Sequence, residues 1–130
     1  MALSIKWLKQ AAQRANADTG FRREGNCDAV VGLCVGPQTY SVTFAGFACT
    51  EVSAIARNAL REVDFYLDMP KADWENWLSR RSAGDGPTLA ELDLERQLVS
   101  ANDPARGLAF TRYHRSLDAY FRLGASNADL

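Results

Sequence analysis

Residues 28–35, Asp-Ala-Val-Val-Gly-Leu-Cys-Val, are apolar almost without a break and rich in β-branched side chains. So short a run reads as a buried strand. Gly36-Pro37-Gln38 then turns the chain, because proline fixes φ and cannot donate to a ladder. Residues 39–44 alternate with period two, setting Tyr40, Val42 and Phe44 on one face and Ser41 and Thr43 on the other. The spacing predicts a hairpin joining 28–35 to 39–44, which commits the chain to a sheet.

The second constraint lies near the C-terminus. Phe110, Tyr113, His114, Leu117, Tyr120 and Phe121 recur at intervals of three and four, the spacing of one helix face. Asp103-Pro104 reads as N-cap and first helical residue, and Gly124 as the C-cap, so a helix is expected over 104–123. Four of the six side chains are aromatic, and each ring can bury about 150–250 Å². Such a face covers either the protein's own core or a bound hydrophobic molecule.

The remaining elements follow from periodicity. Within the N-terminal segment 1–20, Leu3, Trp7, Leu8, Ala11, Ala12 and Ala15 form an apolar stripe, predicting a helix over 3–15 that Thr19-Gly20 ends. Residues 50–60 fit a helix capped by Thr50, or equally a strand over 47–53 followed by a short helix or loop. Residues 63–68 alternate as a strand, and Met69-Pro70 starts a helix with Trp74, Trp77, Leu78 and Arg81 on one side. Ser82–Pro87 is a glycine-containing loop. Thr88-Leu89-Ala90-Glu91 matches a capping box, although Leu89–Leu94 also suits a strand, leaving 89–98 open. These elements predict one α+β domain over 1–130, with helices on one face of a small, mostly antiparallel sheet.

Composition narrows the function by exclusion. A formal net charge of −1 with acids flanking Arg22-Arg23 and Arg80-Arg81 argues against nucleic-acid binding. No run approaches the roughly 18 apolar residues that span a bilayer, and Lys6 and Lys9 interrupt any secretory core, so a cytoplasmic protein is expected. Cys27, Cys34 and Cys49 lack the paired spacing of a zinc site, so no metal and no cofactor are expected. Cys34, inside the apolar run, reads as a small buried hydrophobe. No nucleophile elbow, phosphate loop or metalloprotease motif occurs. His114 is the one group titrating near neutrality, and its apolar neighbours favour a packed, locally hydrogen-bonded histidine over a catalytic one. Asp64 and Asp68, four residues apart on a strand, would stand about 13 Å apart, too far for a dyad, and fit a solvated face.

Three segments together resemble the sterol carrier protein 2-like domains. Residues 31–44 are similar to that family's first hairpin, 63–78 to its strand followed by a tryptophan-bearing helix, and 110–121 to the terminal helix of a bacterial stand-alone subgroup. Two departures stand out: Asn102-Asp103-Pro104 replaces the family's Gly-Asp before the last helix, and 50–60 carries extra residues. The resemblance implies a sheet of about five strands covered by helices, with an apolar tunnel between them. It implies non-catalytic binding or carriage of a lipid, sterol or acyl-type molecule, with Phe44, Phe65, Trp74, Trp77, Phe110, Tyr113, Leu117 and Phe121 as lining residues. Two other readings stand beside it: an accessory subunit docking on a partner enzyme or as a homodimer, and a small SnoaL-type or nuclear-transport-factor-type acid–base enzyme using His114.

Overall fold

The computed structural model describes residues 3–23 and 27–126. Five strands form one sheet in the order β3-β2-β1-β4-β5. The predicted hairpin is its spine. β1 (Ala29–Val35) pairs antiparallel with β2 (Gln38–Ala45) across a turn in which Gly36 takes φ +59°, a left-handed conformation natural to glycine. β3 (Ala48–Ala54) returns antiparallel along β2, so the strand alternative for 47–53 holds. A 3-10 helix (Arg57–Glu62) then carries the chain to the other side of β1, where β4 (Phe65–Met69) pairs parallel with it. β5 (Val99–Ser100) closes the edge antiparallel to β4. The sheet is thus mostly antiparallel, with one parallel pair at its centre.

The burial of β1 explains the layering. Val31, Leu33 and Val35 join Phe65, Leu67 and Met69 in the main core beneath the α-helices. Cys34 faces the opposite side and packs with Leu60, Val63, Tyr66 and Ile55. A strand apolar on both faces needs cover on both, and the 3-10 segment supplies the second. The α-helices lie on one side as expected, yet the far side is not left to water.

α1 (Ile5–Ala17) starts where the Ser4 hydroxyl accepts the Trp7 backbone N–H at 3.2 Å. Its end differs from the expectation. Asp18 stops it in an extended conformation, and the same carboxylate accepts the Phe21 N–H at 2.8 Å to cap α2 (Thr19–Arg23). Thr19-Gly20 therefore opens a short second helix, which turns Phe21 into the core. Met1 and Ala2, in the expected N-terminal segment, lie outside the described residues. α3 (Lys71–Ser82) follows Pro70, and α4 (Leu89–Arg96) carries the complete Thr88/Glu91 capping box, which settles 89–96 as helix.

The expected helix over 104–123 is two helices. Asp103 and Pro104 start only a single turn, α5 (Pro104–Gly107), and after Leu108 the chain begins α6 (Ala109–Ser126). Gly124 is not the C-cap. It lies inside α6, where a Cβ would fall 2.7 Å from the Cβ of Ala11, because α1 and α6 pack backbone to backbone there. Among the described residues no helix is long and apolar enough to cross a membrane.

Candidate functional site

α6 supplies the middle of the helical layer, touching α1, α3 and α4, and its aromatic stripe faces the sheet. Phe121 is the hub. Its ring meets Tyr120 at 5.3 Å, Trp74 and Trp77 of α3 at 5.6 Å, and Trp7 of α1 at 6.3 Å. Phe44 of β2 meets Tyr120 edge-on at 5.5 Å, and Phe21 joins Phe44 at 6.3 Å. Further along α6, Phe110 meets Phe65 of β4 edge-on at 5.7 Å. The expected lining residues Phe44, Phe65, Trp74, Trp77, Phe110, Leu117 and Phe121 are all buried between sheet and helices, and Tyr113 packs on their edge half-buried.

The expected apolar tunnel is not seen among the described residues. Edge-to-face geometry lets these rings touch one another instead of enclosing space. Among the described residues, surface concavities of about 170–240 Å³ occur, and of the eight expected lining residues Trp77 alone borders one of these.

Polar atoms in this layer are mostly paired. Trp74 Nε1 donates to the Cys34 carbonyl and Trp77 Nε1 to the Pro87 carbonyl, both at 2.8 Å. The Tyr120 hydroxyl donates to the Leu8 carbonyl at 2.6 Å, and burial holds its pKa well above the ordinary 10.0. Trp7 Nε1 differs: it is buried and has no hydrogen-bond partner among the described residues.

Trp7, Phe21 and Tyr120 belong to this layer although the sequence did not place them in the lining set. Trp7 and Tyr120 had visible signals on their helix faces. Phe21 had none, because it follows residues that read as a helix end.

His114 departs from the sequence reading. It is half-buried on the outer flank of α6, 5.9 Å from the Phe110 ring, and makes no hydrogen bond with a described residue. The strand carboxylates do not join it. Asp64 accepts from Val30 N at 2.7 Å and from Arg106 Nε at 3.1 Å, and Asp68 pairs with Arg57 at 3.4 Å. Asp64 therefore braces the start of the β1–β4 pair, more than a solvated face requires. Among the described residues no group of three or more His, Cys, Asp or Glu side chains is placed to hold a metal ion. The three cysteines are free and buried.

No protein-family model matches the chain, and no curated protein sequence does. Solved structures do. Sterol carrier protein 2 superposes with a TM-score of 0.67 at 17% identity, over 92% of this chain and 94% of that one. A conserved hypothetical protein from Thermus thermophilus, described as a possible sterol carrier protein, gives 0.67 at 17% identity over 98% and 92%. The chain has the α+β fold of sterol carrier protein 2, the resemblance its sequence carried.

Proposed function

We propose that the chain binds a hydrophobic small molecule of lipid, sterol or acyl type between its sheet and its helical layer, without catalysis. The observation that carries this is the continuous aromatic layer centred on Phe121, set in a fold shared with sterol carrier protein 2. A ligand takes its place there by separating ring from ring, exchanging one apolar contact for another. Burial gains about 25 cal/mol per Å², so a few hundred Å² supplies several kcal/mol, enough for micromolar affinity. One feature supports a polar contact as well: Trp7 Nε1, without a hydrogen-bond partner among the described residues, offers a donor to a polar atom of the guest.

Native mass spectrometry of the purified chain, with titration by a pyrene-labelled dodecanoic acid, tests the reading. One-to-one uptake with quenching of tryptophan emission is expected. A clean apo mass together with no uptake of the probe overturns it.

A further inference from the structure

We propose that the concavity on the outer flank of α6 is a binding site for a phosphate-type oxyanion. Its volume is about 200 Å³, and its walls are Thr88, His114, Arg115, Asp118, Ala119 and Arg122. Five of these lie on α6 at 114, 115, 118, 119 and 122, one helical flank, while Thr88 faces them from the start of α4.

The charge balance points to an anion. Asp118, the acid in the wall, is already committed at both oxygens: Arg81 Nη2 donates to Oδ2 at 2.7 Å, and the Leu89 backbone N–H to Oδ1 at 3.2 Å. Arg81 still holds a buried Nε–H with no partner among the described residues, so the positive side of that pair is the less satisfied one. Glu91, next to Thr88, is taken up by the Thr88 N–H and hydroxyl, each at 3.0 Å. Arg115 and Arg122 make no hydrogen bond or ion pair with any described residue. Two unspent guanidinium groups and an unbonded imidazole thus surround a hollow whose one wall carboxylate, Asp118, is already paired with Arg81. Guanidinium groups match phosphate oxygens in pairs. α6 separates this hollow from the apolar layer on its other side.

The test is calorimetric titration of the intact chain with inorganic phosphate and with dodecyl phosphate. Saturable one-to-one binding is expected. The double variant Arg115→Gln/Arg122→Gln should weaken it about tenfold or more, while Arg112→Gln on another flank of the same helix leaves it unchanged. Neither target arginine holds the fold together, so the melting temperature of the double variant should not move. Equal affinity for the two probes assigns the site to a free phosphate; tighter dodecyl phosphate binding, lost in the double variant, assigns it to the head of an amphiphile. Absence of saturable binding overturns the proposal, as does binding that the double variant retains or that Arg112→Gln weakens equally.

Discussion

Gly124 is where α1 and α6 come closest, and its hydrogen side chain is what the approach requires. A Cβ there would sit 2.7 Å from Ala11 Cβ and 2.7 Å from Trp7 Cη2. Two effects compete in Gly124→Ala: alanine gains about 1 kcal/mol of helix propensity, while overpacking costs about 1–3 kcal/mol. Ala11 Cβ belongs to a packed backbone and cannot swing aside, so overpacking should win. A net loss of about 1 kcal/mol is expected, read from the urea midpoint. The thiols give a second prediction at this scale. Burial pushes Cys27 and Cys49 up to about 12 from an ordinary 9.0, and Asp28 adds to the rise at Cys27. The folded chain keeps these protons where the unfolded chain releases them. Their contribution to stability is therefore full below about pH 9 and is lost as pH rises toward 12. Unfolding free energy should fall as pH rises from about 9 to about 11, and iodoacetamide at about pH 8 should label the native thiols far more slowly than those in urea.

At the scale of elements, the helices are held by a few side chains at their ends. The Glu91 backbone N–H donates to Thr88 Oγ1 at 3.3 Å, while Glu91 Oε1 accepts from Thr88 N. Thr88→Ala should cost about 1 kcal/mol in chemical unfolding. Asp118 ties three helices, binding Arg81 of α3 and the first N–H of α4 from its place on α6. With both side chains of the Arg81–Asp118 pair largely buried, at 13% and 16% exposure, Asp118→Ala leaves a guanidinium without its acid. A loss of about 3 kcal/mol is expected, clearly larger than that of Thr88→Ala, and measurable in the same assay. These ends also show where sequence reading stops. The Thr88 capping box was legible because its partners are three residues apart. Asp18 as the cap of α2 was not, because glycine at 20 carries a stronger stop signal than the geometry uses. β5 had no pattern of its own: a two-residue strand exists only because Leu67 and Tyr66 offer it a ladder.

At the scale of the whole molecule, a guest in the aromatic layer stabilises the fold by mass action. A hundredfold excess over Kd adds about 2.7 kcal/mol, so the melting temperature should rise by several degrees with the pyrene-labelled acid. Phe65→Ala, at a fully buried ring in contact with Phe110, should lower stability by about 3–5 kcal/mol in urea. By itself the sequence determined the hairpin, the strand–proline–helix unit around Met69-Pro70, the α+β class and the aromatic face of the last helix. All of these are periodic or turn-specified within a dozen or so residues. The eight expected lining residues were also legible as apolar positions. Only the tertiary structure decided whether they enclose space or fill it, because ring-to-ring distances depend on segments remote in the chain. It likewise decided that β1 needs the 3-10 cover on its far side, that α6 breaks from α5 at Leu108, and that His114 faces an arginine-lined hollow rather than the core. Local pattern tells which side chains leave water; the contacts of α6 with α1, α3 and α4 tell what they meet there.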